Sequence, residues 1–131
     1  MKAPLPWMKY YVGDFEKMTA AMSVAERGAY QRLVDHYWSQ GSITSNEAAI
    51  CRITRTTPDE WLTLRDAVMA MFEFDHGEAL WRCHYLDKLR EEQRHEYKQQ
   101  REAGLKGVEA RRAKKLANGQ GAAPHSPLSD P

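Results

Sequence analysis

The chain of 131 residues has no run of about 18 apolar residues, so no membrane-spanning helix is expected. Met1 to Trp7 holds one lysine and no apolar stretch, which argues against a secretory signal. Cysteine is scarce. Cys51 and Cys83 lie far apart and form no CxxC pair, so a reduced, cytoplasmic protein is expected. No P-loop, GxSxG, HExxH or glycine-rich nucleotide cradle occurs, and neither enzyme activity nor a cofactor is expected. The adjacent pairs Asp35-His36 and Asp75-His76 are what any chain of this composition produces. His36, Cys51, His76, Cys83, His84 and His95 have no zinc-ligand spacing, so no metal is expected.

What the chain does have is helix punctuation. Ser23/Glu26, Thr44/Glu47 and Thr57/Glu60 each place a hydroxyl three residues before a glutamate, at the head of an apolar run. In such a pair the hydroxyl and the carboxylate each accept a free N–H of the first turn, so each pair marks a helix start. The first helix runs from Ser23 to about Gln40, with Tyr30, Leu33, Val34, Tyr37 and Trp38 as its core stripe and Gly41 as its terminator. Gly28 within it costs about 1 kcal/mol against alanine, which implies that another segment approaches closely there. A second helix spans Asn46 to about Thr54. Pro58 opens a third, reaching about Met71 with Trp61, Leu64, Val68 and Met71/Phe72 inward. Residues 6–22, with Trp7, Tyr10, Tyr11 and Phe15, read as a short strand or fixed arm.

Phe72 to Tyr85 alternates apolar and polar residues on both sides of Asp75-His76-Gly77-Glu78, the pattern of a β-hairpin. Trp81, Cys83 and Tyr85 fall on one face of its return strand. Three helices followed by a hairpin is the order of a winged helix. The expected fold is therefore mainly α with a small β-hairpin: a winged helix-turn-helix, then an extended helix and a basic disordered tail. Its expected divisions are 1–85 for the domain, 86–103 for an exposed polar helix and 104–131 for a largely disordered tail. Gly104 and Gly107 interrupt the helix, Val108 to Ala117 is a stretch that can resume it, and Asn118 to Pro131 is expected to be disordered. The net charge of +1 conceals a segregation. Tyr97 to Ala117 holds seven basic residues and two acidic ones, whereas residues 1–85 hold 9 Lys+Arg against 11 Asp+Glu.

Pro6-Trp7, Tyr11-Val-Gly-Asp14-Phe15, the run Met22-Ser-Val-Ala-Glu26-Arg-Gly-Ala-Tyr30 and the run Leu33-Val-Asp-His-Tyr-Trp38 together resemble the family called domain of unknown function 1376. Ile53-Thr-Arg55, Trp61, Phe72, Trp81 and Leu86-Asp87 extend the resemblance over residues 5–90. Members occur mainly in phages and prophages, often encoded beside helicase-loader-like genes. The resemblance implies a winged-helix protein of phage DNA replication, similar to the N-terminal domains of replisome organisers. Arg101-Glu-Ala-Gly104-Leu-Lys106-Gly107 resembles the segment that follows such domains. Two departures stand out: Thr44 replaces a proline that many members carry, and no further domain is expected after the basic segment, so a loader-binding function residing in such a domain would be missing.

Within this frame Arg52 and Arg55, three apart around the end of the second helix, are candidates to grip DNA phosphates. Thr63 and Arg65 on the third helix and Arg82 on the wing are further candidates. Lys106, Arg111, Arg112, Lys114 and Lys115 would add salt-dependent, sequence-independent affinity. Surface arginines and a solubilising tail are the ordinary alternatives. Trp7 and Tyr10 on the arm are candidates to stack on single-stranded bases. A competing class is a protein-interaction module in which Asp59, Glu60 and Asp66 bind a helicase loader or another factor. A prophage transcription regulator is a third reading.

Overall fold

The computed structural model describes residues 5–118. Eight elements follow one another: α1 (Val12–Met18), α2 (Val24–Gln40), β1 (Ile43–Thr44), α3 (Glu47–Thr54), α4 (Pro58–Met69), β2 (Glu73–Asp75), β3 (Leu80–Arg82) and α5 (His84–Ala117). The chain divides into two units, Met1–Gln93 and Arg94–Pro131.

Two of the three hydroxyl–glutamate pairs build full capping boxes. Ser23 Oγ accepts from the Glu26 N–H at 3.1 Å while Glu26 accepts from the Ser23 N–H at 2.8 Å. Thr57 and Glu60 repeat the exchange at the head of α4, where Pro58 takes the first helical position. Gly41 ends α2 in the left-handed conformation, as its position predicts.

Thr44/Glu47 is a correction. Thr44 lies in β1, and its hydroxyl accepts from the Asn46 N–H; Asn46 is the cap of α3, accepting from Ala49 N–H at 3.0 Å. Glu47 is then the first residue of α3, with its carboxylate turned to α4. It accepts from Trp61 Nε1 at 3.1 Å and from Arg65 Nη1 at 3.3 Å, coupling the two helices.

The expected arm is partly helical. Residues 5–11 have no regular structure, but Val12–Met18 form α1, with Gly13 inside it, and no strand forms among residues 6–22. Phe15 is the reason: it is fully buried, stacks on Tyr10 with centroids 4.5 Å apart and meets Tyr85 edge-on at 5.9 Å. The extended residues are tied down by Gln93, whose amide donates to Trp7 O at 2.6 Å and accepts from Lys9 N–H.

The three strands form an antiparallel sheet in the order β1-β3-β2. Ile43 stands opposite Trp81, and Phe74 opposite Trp81 on the other side. Phe74 and Trp81 meet edge-on at 5.0 Å, a cross-strand pair of the kind that pins register. The return strand is shorter than expected. It stops at Arg82, and His84 and Tyr85 already belong to α5, so Trp81, Cys83 and Tyr85 do not share a strand face. Tyr37 explains the early stop: its hydroxyl accepts from the Cys83 N–H at 2.9 Å and donates to Asp87 Oδ1 at 2.6 Å, drawing the chain into the helix. Burial, aided by that bond to Asp87, pushes the Tyr37 phenol up from its ordinary value.

The core gathers Phe15, Tyr30, Leu33, Val34, Tyr37, Ile43, Ile50, Trp61, Val68, Phe72 and Leu86. Leu86 is fully buried and Gln93 nearly so, which is why the compact unit extends past residue 85 to Gln93. The helix that starts at His84 continues through Gly104 and Gly107 to Ala117. The expected interruption at Gly104 and Gly107 is absent, and Val108 to Ala117 continue the same helix; the expected disordered stretch from residue 119 lies outside the described residues. No helix among the described residues is long and apolar enough to cross a membrane.

Candidate functional site

The turn between α3 and α4 is built by Arg55. It closes α3 at φ 61°, ψ 42°, a left-handed conformation usually taken by glycine or asparagine. An L residue with a Cβ costs roughly 1–2 kcal/mol there. The chain returns at once through Thr56, whose N–H donates to Cys51 O at 3.0 Å, and Thr54 Oγ1 lies 2.9 Å from Thr56 Oγ1. The result is a tight helix–turn–helix with Arg52 and Arg55 both exposed.

The candidate arginines fall into two groups. Arg65 donates to Glu47 and has Asp66 Oδ1 at 3.9 Å. Arg82 is fully engaged: its guanidinium donates to Gly41 O at 3.2 Å, Glu78 Oε1 at 3.2 Å and Asp75 Oδ2 at 3.5 Å. Asp75 also accepts from the Gly77 and Glu78 N–H groups. The Glu78 N–H foremost, then that of Gly77 and Arg82, holds its carboxyl below the usual range. Arg82 thus braces the hairpin against the end of α2. By contrast, Arg52 and Arg55 have no ion-pair or hydrogen-bond partner among the described residues. Thr63 is exposed, and its hydroxyl donates to Glu60 O at 2.7 Å.

The acidic candidates divide in the same way. Asp59 is exposed and the Asp66 side chain fully so, whereas Glu60 is held in the capping box. Of the arm residues, Trp7 is 61% exposed and Tyr10 42%; Tyr10 is already stacked on Phe15 and bonded to Arg27 through its hydroxyl.

Lys106, Arg111, Arg112, Lys114 and Lys115 all lie exposed on α5 rather than on an irregular tail. Helical spacing orders them. Arg112 and Lys115 share a face with Lys98, Arg101, Leu105 and Val108, which recur at steps of three and four, and Glu102 and Glu109 border that face; Lys106, Arg111 and Lys114 lie on other sides of the helix.

Sequence reading missed a second surface. A cleft of about 400 Å³ lies between α2 and the α3–α4 turn, with Ala25, Gly28 and Ala29 on the α2 side and Arg32 and Arg55 among its lining. Gly28 is not closely approached: a Cβ there would meet nothing within 4 Å. The expected close contact is absent, and the glycine opens the cleft instead. The spacing of Ala25, Gly28 and Ala29 on one helix face was the available signal. Neither His/Cys/Asp/Glu cluster nor disulfide is found among the described residues, and Cys51 and Cys83 are buried free thiols.

Comparison with known proteins places these features in a lineage. The chain is 32% identical over 119 residues to the uncharacterised protein YdaU of Escherichia coli strain K12, a match covering 90% of this chain and 40% of that protein. The chain therefore spans well under half the length of this relative. No solved structure matches it. The family model described as protein of unknown function, DUF1376, matches residues 6–91, the stretch from the aromatic arm to the first turns of α5, and the chain belongs to that family.

Proposed function

We propose that this is a DNA-binding accessory protein of phage or prophage replication, built on a winged helix. The element order supports the fold: α2, β1, α3, α4, β2 and β3, with the sheet ordered β1-β3-β2, reads as a three-helix winged helix-turn-helix preceded by α1. The β2–β3 hairpin is then the wing. The observation that carries DNA binding is the segregation of arginines. Arg52 and Arg55 stand free at the helix–turn–helix corner, and Arg55 does so at a backbone cost that glycine would avoid. Backbone phosphate is the partner these two cations lack.

The basic row on α5 supplies the second element. A helix face whose cations outnumber the two glutamates that border it suits the phosphate backbone and releases counterions from it. With Arg65 and Arg82 committed to carboxylates, base reading by α4 would fall chiefly to Thr63, so weak sequence preference is expected. The link to replication rests on the resemblance alone.

The test is a titration of labelled duplex and single-stranded DNA at two salt concentrations. Charge reversal of Arg52 and Arg55 is expected to raise the dissociation constant by about tenfold or more, the scale of one or two charge-assisted hydrogen bonds. Unchanged binding in the double variant, or none by the native chain at low salt, overturns the reading. The exposure of Asp59 and Asp66 favours the protein-interaction reading as second. Loss of a replication partner on changing those two residues, with DNA binding absent, would put it first.

A further inference from the structure

The cleft at Gly28 lies outside the duplex-binding set just proposed, apart from Arg55 at its edge. It is a concave site whose α2 wall consists of Ala25, Gly28 and Ala29, with Leu64 of α4 also lining it. Arg32 lines it from α2 and Arg55 from the turn, and neither has a hydrogen-bond or ion-pair partner among the described residues. Glu60 also lines the cleft as its one carboxylate; its Oε1 accepts the Thr57 N–H at 2.7 Å, which fixes it at the helix start, so the two arginines give the lining a net positive charge. Two residues adjacent in sequence to the lining are apolar and exposed: Val24 at 92% and Leu62 at 57%.

We infer that this cleft is a docking site for a peptide segment of a partner protein that presents an apolar side chain beside a carboxylate. The apolar side chain would enter over Gly28, against Ala25, Ala29 and Leu64. The carboxylate would be held by Arg32 and Arg55, whose planar guanidinium groups bind carboxylates through paired N–H donors. What favours this occupant is the mixture of the lining: Ala25, Gly28, Ala29 and Leu64 form an apolar patch that a phosphate backbone would leave uncovered, and Arg32 and Arg55 stand beside it without partners among the described residues. Thr54, Thr56 and Thr63 complete its polar side.

Gly28 supplies the control. Because a Cβ there meets nothing, a side chain at position 28 starts into the cleft without a backbone clash, so Gly28→Leu is the blocking variant and Gly28→Ala the mild one that keeps the fold. The probe is 3-phenylpropionate, with 3-phenylpropanamide as its neutral counterpart, titrated into the full-length protein and followed by amide shifts in NMR. Shifts at Gly28, Ala29 and Thr56 are expected with the carboxylate, weakened about tenfold by Arg32→Gln/Arg55→Gln or by the neutral amide, the scale of a charge-assisted pair. Gly28→Leu should abolish them while leaving duplex affinity within about twofold, a change under 0.5 kcal/mol. Absence of shifts in a folded protein, or shifts that persist in Gly28→Leu, overturns the proposal. So does the opposite pattern, in which Gly28→Leu lowers duplex affinity and inorganic phosphate shifts the same amides; the cleft would then hold DNA backbone. Duplex binding lost only in Arg52→Glu, with the probe still bound, leaves this proposal standing when the duplex reading is tested separately.

Discussion

Leu86 and Leu105 stand on the same helix, α5, yet one is fully buried and the other 60% exposed. The difference lies in what surrounds them. Leu86 joins a cluster with Tyr37, Phe15 and Phe72, and its neighbours Tyr85 and Asp87 donate or receive specific hydrogen bonds. Leu105 lies in a row dominated by Lys98, Arg101, Arg112 and Lys115. The first two turns of α5 are held by tertiary packing. Beyond Gln93 nearly every side chain is exposed, and the helix there rests on propensity and on Lys114 and Lys115 in its last turn. One helix thus serves two purposes, closing a core and presenting charge.

Truncating each leucine in turn tests that division most severely. Leu86→Ala should cost about 2–5 kcal/mol, the range for emptying a buried leucine site, whereas Leu105→Ala should stay within about 0.5 kcal/mol. Urea unfolding of the two variants measures both. Equal losses would mean that Leu105 is buried in solution and that α5 has a partner.

Charge probes the two halves of α5 from the other side. Replacing Lys106, Arg111, Arg112, Lys114 and Lys115 together by glutamine should leave the urea midpoint of the 1–93 unit nearly unchanged. On the DNA-binding reading it should also lower the salt-dependence slope of duplex affinity by at most about 4.5, close to 0.9 for each phosphate no longer neutralised. Only cations that reach a phosphate add to the slope, so a smaller fall shows how many of the five touch DNA. An unchanged slope would remove α5 from the interface.

These contrasts also show what was legible beforehand. Capping chemistry is local, so Ser23/Glu26, Thr57/Glu60, Pro58 and Gly41 mark α2 and α4 within a residue or two. The core stripe Tyr30, Leu33, Val34 and Tyr37 follows from periodicity alone. What failed depended on distant partners. Thr44 looks like a cap, but Ile43 pairs with Trp81 and pulls it into a strand, so Asn46 becomes the cap. Residues 12–18 are helical around Phe15, whose burial against Tyr30 and Tyr85 no local pattern reveals. The glycines at 104 and 107 cost helix propensity, but a cost of about 1 kcal/mol each does not end a helix. At the candidate site, sequence named Arg52, Arg55, Arg65 and Arg82 without showing which of them are engaged. Glu47, the partner of Arg65, comes from another helix, whereas Arg82 takes Asp75 and Glu78 from its own hairpin, where only the turn geometry brings them together.

A more modest change divides stability from binding at one residue. Arg55→Gly should stabilise the protein by about 1 kcal/mol, since glycine adopts φ 61° freely, and on the DNA-binding reading it should weaken duplex binding. Ala79, at φ 56° in the hairpin turn, is the matched control. Ala79→Gly should stabilise by a similar amount with no change in binding, because no cation is removed. Thermal unfolding and the DNA titration read the two outcomes, and a loss of stability in Arg55→Gly would show that its side chain is held in the fold.

Subtler still is the hydrogen bond from the Tyr85 hydroxyl to Asp14 Oδ2, 3.0 Å long, which fastens α1 to the start of α5. Burial, reinforced by that bond and by the Asp14 charge, pushes the Tyr85 phenol up to about 12. The folded state therefore favours the protonated phenol, which gives a stabilisation fully present below the unfolded value near 10 and lost as pH rises through about 12. Tyr85→Phe should cost about 0.5–1.5 kcal/mol at pH 8, the usual worth of such a bond. The buried phenols of Tyr30 and Tyr37 are raised as well and remain in the variant, so both proteins lose stability in alkali. Their difference isolates Tyr85: the two curves of unfolding free energy should converge between pH 10 and 12. Curves that stay parallel over that window would mean the hydroxyl contributes through packing, and the tie between α1 and α5 would rest on the aromatic contact with Phe15 alone.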